Sequence, residues 1–185
     1  MTMIGGPAPR LESERLVLRG FLPKDLEPSS KLWMQEEVYR HISGKPSTRS
    51  ECWSRLLNFS GMWNLMGFGY WAVEEKTTGA YVGEIGFADF KREMSVPIEG
   101  KPEMGWILSP DFFGKGFGTE AVTTALLWAD HHLPFSEVVC IIAPENTASQ
   151  GLARRVGFIE EEPVLFKDEK TLFYRRQLTA KARAR

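Results

Sequence analysis

The 185-residue sequence has few cysteines, almost no net charge and no long apolar segment. Its two cysteines, Cys52 and Cys140, form neither a CxxC pair nor a metal-ligand spacing, so the sequence predicts free thiols and no metal. The formal net charge of −1 gives no general attraction to nucleic acid or to an anionic membrane. Because no apolar run approaches the roughly 20 residues that cross a bilayer, we expect a cytoplasmic protein.

The composition, with 43% hydrophobic and 25% charged residues, is typical of one folded domain of this length. We expect a frayed leader over residues 1–10, a single domain over 11–178 and a basic tail over 179–185. The positive charges of the tail leave a nucleic-acid or ribosome contact as a minor alternative.

Hydrophobic periodicity predicts the element order β, helix pair, β, β, β, α, β, α, β, β. Thr48 and Glu51 form a capping box that starts the second helix, and Trp53, Leu56 and Leu57 are predicted to share its buried face. The predicted strands include residues 15–21, 70–76, 80–90, 103–109 and 136–143. Antiparallel strands thus open and close the chain, with a β–α–β unit between them.

The stretch "FFGKGFGTEA", residues 112–121, concentrates Gly114, Gly116 and Gly118 at the start of an amphipathic helix. A helix start offers four unpaired N–H groups and a positive dipole end, and glycines let several N–H groups converge on an anion such as a phosphate. The spacing matches neither a Walker loop nor a dinucleotide-binding fingerprint. A turn with no ligand is the alternative, although each glycine there costs up to about 1 kcal/mol.

The wider segment "MGWILSPDFFGKGFGTEAVTTALLWA" resembles the acyl-coenzyme A motif of the GNAT N-acetyltransferases, in its RimJ/RimL-like form. "LESERLVLRGFLPKDLE", "YVGEIGF" and "PENTASQGLARRVGF" resemble further elements of that branch, so the resemblance extends from about Leu11 to Leu178. It implies the GNAT acyl-CoA N-acyltransferase fold of the α/β (α+β) class. Such a fold has a mixed, mostly antiparallel sheet of about seven strands, flanked by about four helices and splayed at the central strands.

The resemblance implies acetyl-CoA as cosubstrate and assigns its binding residues. Family members hold the diphosphate on backbone N–H groups of the glycine loop and pair the pantetheine arm with the preceding strand. Asn146 and Ser149 are implied on the far side of that arm; a helix N-cap and a solvated helix residue are their alternatives. The implied binding residues on the loop and the strand are Gly114, Lys115, Gly116, Phe117, Gly118, Thr119, Trp106, Ile107 and Leu108.

The implied reaction is direct attack of a primary amine on the thioester, through a tetrahedral intermediate. Glu84 and Glu103, on adjacent predicted strands, are candidate proton acceptors, and a solvated or salt-bridged glutamate is the alternative for each. His41 is a third candidate. The family often places a tyrosine where this sequence has Ala153, which leaves Ser149 or water to protonate the leaving thiolate.

The acceptor is expected to be a protein N-terminus or a small-molecule amine, with neither a membrane nor nucleic acid as partner. The absence of the tyrosine supports one alternative, a non-catalytic acyl-CoA-binding sensor or scaffold. The sequence leaves open whether the chain forms a homodimer.

Overall fold

Nine strands build the central sheet of the computed structural model, which describes residues 6–179. The strands are β1 Leu11–Glu12, β2 Leu16–Arg19, β3 Tyr70–Glu75, β4 Tyr81–Ala88, β5 Glu103–Leu108, β6 Glu137–Ile142, β7 Ile159–Glu160, β8 Val164–Phe166 and β9 Glu169–Gln177. The sheet order is β1-β2-β3-β4-β5-β6-β9-β7, and β8 pairs with β9. Every pairing is antiparallel except that of β5 with β6.

Five α-helices flank the sheet and complete the mixed, mostly antiparallel GNAT-type architecture that was predicted. The buried stripe of the fourth helix is the one that its periodicity predicts, because Val122, Ala125, Leu126 and Ala129 all lie in the core. The helices are α1 Leu26–Trp33, α2 Glu36–Tyr39, α3 Arg49–Met66, α4 Phe117–His132 and α5 Thr147–Arg155. The additional elements, compared with the prediction, are mainly short ones such as β1, β7 and α2.

The sheet splays between β5 and β6, as predicted. These two strands share a single register pair, Glu103 with Val139, and separate beyond it. The Pro102 carbonyl accepts from the Val139 N–H of β6, whereas the Ser109 N–H donates to the Val82 carbonyl of β4. Because the backbone groups of successive strand residues alternate in direction, those of Trp106 and Leu108 face the gap. The gap therefore exposes a strand edge at the centre of the sheet.

Helix α3 confirms its predicted start but not its predicted face. The Thr48 hydroxyl accepts from the Glu51 N–H, and the Glu51 carboxylate accepts from the Thr48 N–H at 2.6 Å. Trp53 and Leu57 are 38% and 53% exposed, so the expected face of Trp53, Leu56 and Leu57 is wrong. The buried line follows i, i+4, i+7, i+11 instead, and its members are Cys52, Leu56, Phe59 and Trp63.

Residues 6–10 are packed against the domain, which corrects the expectation of a leader frayed throughout. The Gly6 N–H donates to the Trp63 carbonyl, and the Trp71 indole N–H donates to the Pro9 carbonyl at 2.8 Å. Residues 1–5, and all of the predicted basic tail except Thr179, lie outside the described residues.

Both cysteines are buried free thiols in the structure. Over residues 6–179, no group of three or more His, Cys, Asp and Glu side chains is arranged to hold a metal ion. None of the helices in that range has the length and apolarity needed to cross a membrane.

Candidate functional site

A cleft of about 1010 Å³ opens where β5 and β6 separate. The glycine loop closes one end of it, and α2 with the loop after it closes the other. Trp106, Ile107 and Leu108 line its side along β5, and Asn146 and Ser149 line it from α5. All of the residues predicted for the diphosphate, the pantetheine strand and the far side, except Lys115 and Phe117, therefore line the same cleft.

The glycine loop needs its glycines for two different reasons. Gly114 and Gly116 have φ angles of +71° and +82°, in the left-handed region that favours glycine. Gly118 instead lies in the first turn of α4, where a Cβ would be 3.3 Å from a methyl group of Leu152. A turn thus requires the first two glycines, and close packing of α4 on α5 favours the third.

Several N–H groups without a backbone acceptor lie close together in the sequence of this loop. Within the described chain, the N–H groups of Gly114, Lys115 and Gly116 have no backbone acceptor, and the first bond of α4 runs from Glu120 to Gly116. The first-turn N–H groups of α4 are free by helix geometry. This concentration of donors at the positive end of α4 is suited to bind an anion.

Two loop side chains contribute less than their backbones. The Lys115 ammonium donates to the Asp111 carbonyl at 2.7 Å, so it folds back onto the loop instead of extending over the cleft. Phe117 is packed in the hydrophobic core, with 6% of the residue exposed. Both residues can take part in anion binding through their N–H groups.

Asn146 caps helix α5, which is one of the two roles predicted for it. Its side-chain oxygen accepts from the Ser149 N–H at 3.1 Å. The Ser149 hydroxyl in turn accepts from the Trp106 indole N–H at 3.3 Å. These bonds tie α5 to the open strand edge across the cleft, while contact of Asn146 and Ser149 with a ligand stays a prediction.

The two predicted carboxylates are enclosed by their own partners and do not line the cleft. Glu84 is fully buried and accepts from the Ser29 hydroxyl at 2.6 Å, the Trp33 indole at 3.0 Å and the Tyr81 hydroxyl at 3.0 Å. Burial raises the pKa of Glu84, and these donors oppose the rise. This arrangement anchors α1 to β4, and the catalytic role of Glu84 stays a prediction.

Glu103 is held by a cation. The Arg92 guanidinium donates to both of its oxygens, at 2.7 and 3.0 Å, while Arg92 also packs over Phe90. Burial raises the pKa of Glu103, and Arg92 opposes that rise. The salt-bridged strand glutamate was one of the two alternatives for this residue, and its catalytic role also stays a prediction.

His41 does line the cleft, at the end formed by α2 and the following loop. Its ring nitrogen lies 3.0 Å from the Arg40 Nε atom. Partial burial and the neighbouring Arg40 charge lower the pKa of His41, although Glu145 across the cleft opposes them. The imidazole is therefore neutral at pH 7, which favours proton acceptance.

Ser13, Glu120 and Arg155 are among the cleft residues that were not predicted as site residues. Ser13 and Glu120 line it beside the glycine loop, and Arg155 lines it from α5 and donates to Thr119 at 3.3 Å. Ser13 and Glu120 are hydrogen-bonded to each other although 107 positions separate them. No spacing rule connects residues so far apart, although the quoted stretches "LESERLVLRGFLPKDLE" and "FFGKGFGTEA" contain them.

Comparisons with known proteins agree with this geometry. Residues 15–159 match the model of the acetyltransferase (GNAT) domain. An uncharacterised N-acetyltransferase of Bacillus subtilis, YoaA, is 24% identical over 155 residues, which cover 83% of this chain and 84% of the relative. A Bordetella pertussis structure described as a GnaT-family acetyltransferase is 26% identical, with a TM-score of 0.78, over 91% of this chain and 99% of that one.

A third similarity concerns the fold alone. RimL, a ribosomal L7/L12 α-N-protein acetyltransferase in complex with coenzyme A, has a TM-score of 0.76 at 15% identity, over 94% of this chain and 100% of that one. The domain match covers well over half of the chain and includes the open strand edge and the glycine loop. The chain therefore belongs to the GNAT family of acetyltransferases, as an acetyl-CoA-dependent acyltransferase.

Proposed function

We propose that this protein transfers an acetyl group from acetyl-CoA to a primary amine, with the cleft between β5 and β6 as its active site. One observation carries the proposal: the glycine loop and the unpaired edge of Trp106–Leu108 belong to the same cleft. An elongated molecule with a diphosphate at one end and an amide-rich arm fits this combination.

The residues present fit such a cosubstrate. The N–H groups of residues 114–119 would hold the diphosphate, and the strand edge would hydrogen-bond the amides of the arm. Acetyl-CoA supplies an activated acyl group. A backbone N–H on the same edge would stabilise the negative charge that develops on the acyl oxygen.

We propose a protein N-terminus or a small amine as acceptor, in a RimJ/RimL-like subgroup of the family. An α-amine costs only about 1 kcal/mol to deprotonate at pH 7, whereas a lysine-like amine costs about 4.6 kcal/mol. Glu84 and Glu103 are hydrogen-bonded to other side chains, so neither is free to accept the proton of the attacking amine. The less basic α-amine, which loses its proton more readily, is therefore the easier substrate.

The alternative, an acyl-CoA-binding module without turnover, is favoured by one residue. Ala153, at the position where the family often has a tyrosine, is fully buried and offers no acid. Ser149, hydrogen-bonded to Trp106 at the cleft, is the side chain that we propose for protonating the thiolate.

Isothermal titration with coenzyme A, followed by a thiol-release assay with acetyl-CoA, tests both functions. We expect coenzyme A to bind and at least one class of amine, among peptides, polyamines, amino acids and drugs, to accelerate thiol release. Binding without release for any amine supports the module. No binding of coenzyme A contradicts both.

A further inference from the structure

The glycine loop is attached to the N-terminal segment by one arginine. Arg15 precedes β2 and reaches α4, more than 100 positions further along the chain. Its guanidinium donates to the Glu120 carboxylate at 2.7 Å and to the Lys115 carbonyl at 3.1 Å. It also lies 4.1 Å above the ring of Phe117, the first residue of α4.

The Glu120 carboxylate accepts three hydrogen bonds beside the loop. One of its oxygens accepts from the Ser13 hydroxyl and the Arg15 N–H, both at 2.7 Å, and the other accepts from the Arg15 side chain. Partial burial raises the pKa of Glu120, but these donors outweigh it, so the net pKa lies below the ordinary value. Glu120 is therefore ionised at neutral pH, and it lines the cleft.

A carboxylate beside a diphosphate-binding loop would repel the ligand unless a cation neutralised it. The paired Arg15 supplies that cation. The Glu120 carboxylate also fixes where the guanidinium sits, and the guanidinium then holds the Lys115 carbonyl.

The direction of the Lys115 carbonyl determines the direction of the Gly116 N–H, which is predicted to bind the diphosphate. The peptide bond between Lys115 and Gly116 is trans, so its C=O and N–H point in opposite directions. With the carbonyl held toward Arg15, the Gly116 N–H is turned away from Arg15. Gly116 itself lines the cleft.

We propose that Arg15 is a positioning residue for the diphosphate: it orients the Gly116 N–H through the Lys115 carbonyl and neutralises Glu120. This inference rests on the proposed binding of acetyl-CoA at the glycine loop. Ser13 and the Arg15 N–H complete the arrangement by fixing the Glu120 carboxylate.

The test measures the Kd of coenzyme A and of pantetheine, which lacks the diphosphate, by titration calorimetry. Arg15→Gln is expected to weaken coenzyme A about tenfold and to leave pantetheine unchanged. Arg10→Gln is the matched control, because among residues 6–179 Arg10 pairs only with the exposed Glu12 on the same segment; it should leave both affinities unchanged.

A double variant distinguishes repulsion of the diphosphate by the unpaired Glu120 carboxylate from a general structural effect of Arg15→Gln. Arg15→Gln/Glu120→Gln removes the unpaired carboxylate, so it should bind coenzyme A more tightly than Arg15→Gln alone. Equal loss of coenzyme A and pantetheine affinity in Arg15→Gln, or a double variant that binds coenzyme A no more tightly than Arg15→Gln, would overturn the inference. If Arg15→Gln does not fold, Arg15→Lys decides: it keeps the charge without the two-pronged contact and should weaken coenzyme A, but not pantetheine, about threefold.

The outcome is separable from that of the proposed function. If the wild-type protein fails to bind coenzyme A, the proposed function fails. If the wild type binds coenzyme A and Arg15→Gln binds it equally well, only the role of Arg15 is wrong.

Discussion

Replacement of Glu84 by glutamine tests whether this buried carboxylate anchors the fold. Its oxygens satisfy three donors, from Ser29, Trp33 and Tyr81. In Glu84→Gln the amide oxygen can still accept from both hydroxyls, but the amide NH₂ then faces the Trp33 indole N–H. A buried donor left without an acceptor costs about 1–3 kcal/mol, and we expect a loss of that size. Glu84→Ala removes all acceptors and should cost more than about 3 kcal/mol.

Urea unfolding followed by circular dichroism measures these losses, and a double-mutant cycle isolates the Trp33 bond. Trp33→Phe removes the indole N–H, so the donor conflict disappears in Trp33→Phe/Glu84→Gln. The double variant should be more stable than the sum of the single losses predicts, by about 1 kcal/mol or more. Strictly additive losses would refute the reasoning from these hydrogen bonds.

The same variant distinguishes an anchor from a proton acceptor. An anchor predicts that folded Glu84→Gln retains kcat within about threefold of the wild type, whereas removal of a general base costs about 10²–10⁴. A fall of that size, at unchanged stability, would show that the carboxylate takes the proton from the amine.

Three further predictions concern single residues: Gly116, Asn146 and Glu137. Gly116→Ala forces a side chain into a left-handed conformation and should cost about 1–2 kcal/mol in urea unfolding and weaken coenzyme A; an unchanged Kd would argue against this loop as the binding site. Asn146→Ala should lose about 1 kcal/mol of stability as the α5 cap is removed, with Asn146→Ser restoring it; if serine also restores full coenzyme A affinity, capping is the whole role of Asn146. Hydrogen bonds from Arg175 and Lys101 lower the pKa of Glu137 to about 2. The stability that the Glu137 carboxylate contributes is therefore present above the unfolded pKa of about 4.3 and is lost as pH falls toward 2. In urea unfolding at pH 5, 4 and 3, Glu137→Gln should lose less stability with falling pH than the wild type, and an equal loss would contradict the assignment.

Local patterns predicted much of the fold. Strands β3 to β6 have six to eight residues each, long enough for a clear signal, and were found close to their expected bounds. Strands β1 and β7 have two residues each, too few to show alternation. The buried face of α3 was misjudged because Trp53 and Leu57 are as apolar as the residues beside them that face the core.

The sequence predicted the parts of the cleft whose residues are neighbours along the chain, and it did not predict the contacts between residues far apart in sequence. The glycine loop is a continuous stretch, and its conformational demand at Gly114 and Gly116 is encoded in those residues. Two of the three partners of Glu84, Ser29 and Trp33, lie on α1, more than 50 positions before it, and those of Glu120 lie before β2. Such pairs depend on how helices dock on the sheet, which no spacing in the sequence specifies.

A crystal structure of the protein with coenzyme A tests the central claim most directly. The account predicts diphosphate oxygens within about 3 Å of the N–H groups of Gly116 and Gly118. It also predicts the pantetheine arm hydrogen-bonded to the open edge of Trp106–Leu108. Coenzyme A bound elsewhere on the domain, or a glycine loop without contact to the diphosphate, would contradict the account.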